Sequence, residues 1–320
     1  MTRVYRLALA TVITSLALIA IGGIARLQPA GSGCGNDWPR CNGSWLPSVG
    51  WAPVIEYAHR GAALAAVVLA ILTALAVWRT RDSSRRVRLV AAAGVGTIVL
   101  QSAIGGVAAR WGAPALVATL HLTAAMLFLA CAVATLAAAA ADRGAPHWLA
   151  DLGRVPSAQA DRPLAIAATL GAIVALLLVV FGASTSASGA FACAVWPLCG
   201  ESGRGAQVET AIHLGYRSTA LLGTLAAIVT ALLAWRRAAP PLTRRLAAIA
   251  LALVVAQTGV NALAMAAGNP TWMSAPHLPV AALFWIAMLG LAAAAWNPRP
   301  TRAPHPSRAV LDGPGLFRTL

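Results

Sequence analysis

Charged residues are scarce in this chain of 320 residues. They make up 10% of the sequence, whereas soluble domains carry about 25%, and hydrophobic residues make up 59%. Lysine is missing altogether, the acidic residues number nine, and the net charge is +15. This composition excludes a soluble globular protein and indicates a chain that lies mostly in lipid.

Long apolar runs fill the chain instead. An α-helix needs about 20 apolar residues to cross the hydrocarbon core, and open sheet edges cannot satisfy their backbone groups there. The sequence therefore predicts an all-α integral membrane protein with eight transmembrane helices. The first run follows arginines as a signal peptide would, but its length and the lack of a convincing cleavage site predict a retained helix. The eight runs lie at roughly 6–27, 59–78, 88–108, 117–140, 164–184, 211–235, 246–267 and 277–296.

Arginine is distributed unevenly among the connecting segments. It clusters at the N-terminus, in the connections at 79–88, 141–163 and 236–245, and in the tail, and it is sparse in the other loops. Basic residues accumulate on the cytoplasmic side of membrane proteins. We therefore expect a multi-pass protein of the cell membrane with both termini in the cytoplasm. The basic clusters then lie beside membrane lipid, and membrane topology explains them without a nucleic-acid partner.

The second half of the chain repeats polar residues of the first, and a Trp-Pro pair between two cysteines occurs in both halves. The repetition predicts two parallel four-helix bundles, at 1–141 and 164–296, because each half crosses the membrane four times. A cytoplasmic linker at 142–163 joins them, and a disordered cytoplasmic tail follows at 297–320. The repeated pairs, 154 to 156 positions apart, are His59 with His213, His121 with His277, and Gln101 with Gln257.

Each of these four histidines is predicted near the outer end of a helix. Facing helices of a bundle can hold a cofactor, and a porphyrin offers apolar faces and an iron that binds imidazole. The repeated pairs therefore indicate a haem held between helices, with Arg60, Arg110 and Arg217 available to its propionates. The alternatives are a zinc site and histidines that simply lie at the headgroup interface.

An acidic residue precedes the first histidine of each half. Glu56 lies three positions before His59, about one helical turn, and Glu209 lies four positions before His213. An acid at the mouth of an apolar pocket can accept a proton or stabilise a developing cation, which makes Glu56 a candidate catalytic residue. The alternative for both acids is a favourable charge in the first turn of a helix.

Two pairs of cysteines lie in loops that are predicted to face outward. The outer compartment is oxidising, so Cys34 with Cys41, and Cys193 with Cys199, can each form a disulfide. Each pair is either a structural staple or a redox-active pair that exchanges with an outside thiol carrier. Cys131, in the middle of a helix, is expected to be an inert packed thiol.

Two motifs, together with the topology and the duplication, give the chain a resemblance to a known family over nearly its whole length. It resembles the haem A synthases of aerobic bacteria and mitochondria. The motifs are Cys34-Gly-Asn-Asp-Trp-Pro-Arg-Cys41-Asn-Gly43 and Glu56-Tyr-Ala-His59-Arg60, accompanied by Leu120-His121, Ile212-His213 with Arg217, and Pro276-His277.

The resemblance implies an oxidoreductase that converts haem O to haem A for terminal oxidase biogenesis. A ring methyl group of haem O would become a formyl group by successive hydroxylation. Haem O synthase and terminal oxidase assembly factors would be partners, and a homo-oligomer is left open.

The resemblance also implies a division of labour between the halves. The N-terminal half would hold the substrate haem O through His59 and His121. The C-terminal half would hold a permanent haem b through His213 and His277. The remaining implied residues are Glu56 as the catalytic carboxylate, Cys34 and Cys41 as the redox-active pair, and Arg60 and Arg217 as propionate partners.

Three other functions compete with this interpretation. A di-haem b electron-transfer protein would also use paired histidines, but it normally places haems near both membrane faces. A transporter would suit parallel repeats, but it would need broken helices and charges at the midplane. The prenyltransferase that makes haem O needs clustered aspartates for magnesium diphosphate, and the apolar segments contain no such cluster.

Overall fold

The computed structural model describes residues 3–27, 33–81, 83–141, 161–188, 207–267 and 271–296. Eight long α-helices make up most of this part of the chain, and a short 3-10 helix at Thr271–Ser274 precedes the last one. All eight are long and apolar enough to cross a membrane, which confirms the predicted fold class. They are α1 Arg3–Ala25, α2 Trp51–Arg79, α3 Arg85–Trp111, α4 Ala115–Ala141, α5 Arg162–Ser188, α6 Gln207–Arg236, α7 Pro241–Ala266 and α8 His277–Trp296.

One helix begins well before the apolar run that predicts it. α2 begins at Trp51 rather than at 59, so that Glu56 and His59 are both inside the helix. Glu56 forms an ion pair with Arg60, four positions later on the same helix. A search for apolar runs ends at such charges, although an opposite pair at this spacing stabilises a helix.

Each half of the chain forms a ring of four helices. α1 and α3 each pack on α2 and α4, and in the second half α5 and α7 each pack on α6 and α8. The halves meet where α4 packs on α5 and where α1 and α4 pack on α8. The same pairings therefore occur in both halves, while the parallel orientation of the two repeats stays a prediction.

The largest buried cluster joins α4 to the helices of the second half. Alanine supplies many of its members, and small residues allow helices to approach closely where lipid provides no hydrophobic drive for association. Met126, Leu129, Phe284, Trp285 and Met288 are the large side chains that fill the space between them. Many leucines and valines elsewhere on the helices are exposed, as expected for a surface that contacts lipid tails.

The segment from residue 33 to residue 44, which we call the cysteine loop, precedes α2. Cys34 and Cys41 form the expected disulfide in it. The backbone N–H of Gly43 donates to the Asp37 carboxylate, and Gly43 has a positive φ of 82°, a conformation that glycine adopts without strain. The disulfide and this turn hold the loop in a compact form at one end of the first helix ring.

Candidate functional site

The first half contains a cavity of about 510 Å³ among α1, α2, α3 and α4. This volume lies in the range of sites that bind cofactors and other small ligands, roughly 300 to 1,000 Å³. Alanine, leucine, valine and glycine provide most of the lining, which suits a flat apolar ligand. The polar and aromatic side chains that line it are Arg26, Trp38, Glu56, His59, Arg60, Gln101, Ser102 and His121.

Both predicted haem ligands of the first half line this cavity, His59 from α2 and His121 from α4. Each imidazole packs against a glycine of a neighbouring helix. A Cβ on Gly22 of α1 would lie 2.7 Å from His59 Cε1, and a Cβ on Gly105 of α3 would lie 2.9 Å from His121 Cε1. Real side chains do not approach so closely, so the two glycines create the room that the two rings occupy.

A hydrogen bond fixes where His121 carries its proton. Its Nδ1 lies 3.0 Å from the backbone carbonyl oxygen of Gln101, which can only accept, so Nδ1 is the donor. In the neutral ring Nε2 then keeps the lone pair that a metal ligand requires. His59 Nδ1 is buried and has no hydrogen-bond partner in the described part of the chain. His121 therefore retains a nitrogen that is available to a ligand, whereas the unpartnered Nδ1 of His59 is enclosed by protein beside Gly22.

Glu56 links the cavity to the cysteine loop. One carboxylate oxygen accepts from Arg60 Nη2 at 2.6 Å, and the other accepts from the backbone N–H of Cys34 at 2.9 Å. A Cβ on Gly33 would collide with this second oxygen, so a larger residue there would displace the Glu56 carboxylate from the Cys34 N–H. Glu56 also lies beyond the first turn of α2, which argues against its alternative role as a helix-end charge.

Arg60 binds the same loop through a second set of contacts. Its Nη1 donates to the backbone carbonyl oxygen of Asp37 at 2.9 Å and to that of Arg40. Trp38, between these two residues, lines the cavity. Together with the disulfide, Glu56 and Arg60 therefore hold one wall of the cavity in place.

A second cavity, of about 290 Å³, lies between the end of α1 and the helices of the second half. His277, the first residue of α8, lines it together with Gln257, Tyr216 and Asn261. Gln257 Nε2 lies 2.9 Å from His277 Nδ1 and 3.3 Å from the His277 carbonyl oxygen. The amide thus donates to Nδ1, and the proton of the neutral ring lies on Nε2. Coordination of a metal by this Nε2 requires the amide to turn, so that its oxygen accepts from Nδ1.

The other predicted residues of the second half are not among the described residues that line this cavity. His213 and Arg217 lie one turn apart on α6 and are half-buried, and neither is among the described residues that line the cavity. Glu209 lies in the first turn of α6, where a helix-end charge is favourable. The predicted disulfide partners Cys193 and Cys199 lie outside the described residues. Within the described ranges, no group of three or more His, Cys, Asp or Glu side chains could hold a metal ion.

Comparison with known proteins identifies the family. The family model described as cytochrome oxidase assembly protein matches residues 50–289, which include all four histidines. The chain belongs to this family. It is 30% identical over 258 residues to the haem A synthase of Symbiobacterium thermophilum, covering 78% of this chain and 82% of the relative. It is 28% identical over 263 residues to that of Geobacillus kaustophilus, with 79% of each chain covered, and 26% identical over 219 residues to that of Bacillus licheniformis, with 66% and 70% covered.

Membership of the family confirms the resemblance seen in the sequence motifs. The match begins at residue 50 and so covers α2 to α7 and most of α8, the helices that carry the four histidines. It begins after Cys34 and Cys41. The match concerns the family as a whole, and the roles of individual site residues stay predictions.

Sequence reasoning misses two contacts that shape the site. The first is the pair of glycines, Gly22 and Gly105, that seat the imidazoles; a signal exists, because each belongs to a Gly-Gly pair within an apolar helix. The second is the backbone carbonyl of Gln101 that orients His121. This contact leaves no mark in the sequence, because every residue type carries the same carbonyl group.

Proposed function

We propose that the protein is a membrane-bound haem A synthase, which oxidises a methyl group of haem O to the formyl group of haem A. The observation that carries the proposal is the first cavity, where His59, His121 and Glu56 line one apolar space. The relatives named haem A synthase support the same reaction. The family match does not favour the alternative of a di-haem electron-transfer protein.

The residues of the first cavity fit a haem substrate. The apolar lining suits the faces of the macrocycle, and an iron atom binds imidazole nitrogen, which His59 and His121 carry at the wall of the cavity. The Arg60 guanidinium lies at the same cavity and is suited to one propionate. We therefore assign haem O to the half of the chain at 1–141.

Glu56 is the residue that we assign to the chemistry. Oxidation of the methyl group to an alcohol takes up the oxygen of one water molecule and releases two protons and two electrons, and oxidation of the alcohol to the formyl group releases two more of each. The electrons would pass to the haem b or the disulfide proposed below. A carboxylate beside the reacting carbon can accept the proton or stabilise a cationic intermediate. Arg60 and the Cys34 N–H hold the Glu56 carboxylate at the wall of the cavity, so that it is positioned before the substrate arrives.

We assign a permanent haem b to the half at 164–296, with His213 and His277 as its ligands and Arg217 as a propionate partner. Haem b bound there would supply a one-electron redox centre. Gln257 Oε1 is buried and has no hydrogen-bond partner within the described ranges, which fits this assignment because a turned amide would present that oxygen to His277 Nδ1–H. The role of the protein at this site is to hold and orient the imidazoles.

Three further parts of the proposal concern the surroundings of the site. The Cys34–Cys41 disulfide, whose backbone contacts Glu56, is proposed as a redox-active pair, and Cys193–Cys199 as a second disulfide. Both termini are proposed to lie in the cytoplasm of a cell whose plasma membrane holds the protein. Haem O synthase and terminal oxidase assembly factors are the proposed partners that deliver haem O and receive haem A.

The test compares Glu56→Gln with its counterpart Glu209→Gln in the second half. Both proteins are purified from cells that supply haem O, and the haem extracted from them is analysed by mass spectrometry. Loss of a positioned proton acceptor costs about 100-fold or more in rate, so Glu56→Gln is expected to retain haem O and to lose formyl product. Glu209→Gln is expected to form haem A. Unchanged product in Glu56→Gln would remove this residue from the mechanism.

A further inference from the structure

Arg26 lies in the wall that separates the two cavities. It follows the last residue of α1, and it lines both the first cavity and the second. Leu122 and Leu278 also line both, and each directly follows a cavity histidine, His121 or His277. A single layer of side chains therefore divides the two spaces, and it contains a cation.

Among the residues that the structure describes, the Arg26 guanidinium has no anionic partner. Its Nη2 donates to the backbone carbonyl oxygen of Ala183 on α5 at 2.7 Å. The ion pairs among the described residues join other arginines, and none includes Arg26. Burial lowers the pKa of this guanidinium, because its charge is poorly solvated. The planar group carries further N–H donors in a geometry that matches a carboxylate.

Arg60, which also lines the first cavity, differs from Arg26 because it has an anionic partner. Its side chain is bonded to the Glu56 carboxylate and to backbone carbonyl oxygens of the cysteine loop. Of the two arginines that line the first cavity, Arg26 is therefore the one whose guanidinium contacts no carboxylate of the described residues. A haem carries two propionates. With Arg60 assigned to one of them, Arg26 is available for the other.

We propose that Arg26 binds a carboxylate of the ligand in the first cavity, namely one propionate of the haem substrate. This inference rests on the proposed function. Because Arg26 is also bonded to Ala183, it fixes a ligand of the first half to a helix of the second half. A propionate held at this point restricts the rotation of the macrocycle in the cavity, and it thereby helps to select which edge of the ring faces Glu56.

The experiment compares haem O with its dimethyl ester, in which both propionates are uncharged. The purified full-length protein is equilibrated with each compound, separated from free ligand, and its bound haem O and haem b are quantified separately by mass spectrometry. We expect the unaltered protein to prefer the free acid. In Arg26→Gln this preference is expected to fall about tenfold, because one charge-assisted hydrogen bond is lost. Arg85→Gln, which changes an exposed arginine at the start of α3, is the control and is expected to keep the preference.

Arg26→Lys keeps the charge but not the planar donor geometry. Its preference for the free acid over the dimethyl ester is therefore expected to lie between those of the unaltered protein and Arg26→Gln. It tests the proposal by itself where Arg26→Gln does not fold. An undiminished preference in either Arg26 variant overturns the proposal. Loss of haem b with an undiminished preference for haem O overturns it as well, because the anion would then belong to the second cavity. Failure of the unaltered protein to form haem A contradicts the proposed function and leaves this binding preference measurable.

Discussion

The two halves of the protein share one arrangement of helices but orient their histidines by different means. In the first half, His121 donates to a backbone carbonyl oxygen, which can only accept a hydrogen bond. In the second half, His277 contacts the side-chain amide of Gln257, which becomes an acceptor when it turns. The same pair of sequence positions, 101 and 257, thus provides a fixed partner in one half and a reversible one in the other.

The halves also differ at the entrance to the helix that carries the first histidine. Glu56 lies inside α2 and binds both Arg60 and the cysteine loop, whereas Glu209 lies in the first turn of α6. The comparison shows how a duplication can keep its scaffold while its polar contacts diverge. Packing of the helices depends on small apolar residues and tolerates such changes, because the contacts lie at one end of each ring.

The sharpest test of this comparison replaces each duplicated glutamine with leucine. Gln257→Leu removes the side chain that contacts His277 Nδ1, and loss of such a partner lowers metal affinity about 10- to 100-fold. We expect this variant to lose haem b on gel filtration, as measured by absorbance of the bound haem. Gln101→Leu keeps the backbone carbonyl that orients His121, and the Gln101 Oε1 is buried without a partner, so haem O binding is expected to persist. Equal losses in the two variants would contradict the difference between the halves.

A smaller effect is expected from closing the space that seats His59. In Gly22→Ala the new methyl group would lie 2.7 Å from His59 Cε1, so the ring must move away from its position. Overpacking of this kind costs about 1 to 3 kcal/mol, and about 1.4 kcal/mol of it, expressed at the His59 ring, weakens haem O binding roughly tenfold. Gly61→Ala on α2 is the matched control, because a Cβ there meets no atom within 4 Å. Titration of both purified variants with haem O measures the difference, and equal affinities would show that the glycine is not required.

The smallest effect on ligand binding is expected from opening the cysteine loop. A disulfide acts mainly on the unfolded chain, by about 2 kcal/mol for a short loop, and Glu56 and Arg60 still hold the loop in Cys34→Ser. We therefore expect a lower melting temperature and a change in haem O affinity of less than about threefold. Product formation is expected to fall if the pair is redox-active as proposed, because Cys34→Ser leaves Cys41 without its partner. Cys131→Ser, at the free thiol of α4, is the control. Full activity of Cys34→Ser would identify the disulfide as a structural staple.

Much of the fold could be predicted from the sequence, because spanning a membrane imposes a length and a composition that each segment displays by itself. The eight helices follow from that constraint, and the prediction was least accurate at α2, where charged residues continue the helix beyond its apolar part. His59, His121 and Glu56 could be chosen as site residues because polar groups in apolar helices are rare. Their presence in one cavity agrees with that choice.

Chain composition by itself determined that this protein crosses the membrane and that eight long apolar helices fill its described part, and it selected the rare polar residues as candidates for the site. Only the tertiary structure decided which atoms meet. Arg26 lies between two cavities, Gly22 receives the His59 ring, and the Gln101 carbonyl reaches His121, because α1, α3 and α4 pack at particular rotations. Rotation of any one of these helices by a fraction of a turn would change the contacts that this helix makes and leave its hydrophobic pattern the same. For this reason the contacts are a property of the packed bundle rather than of any segment.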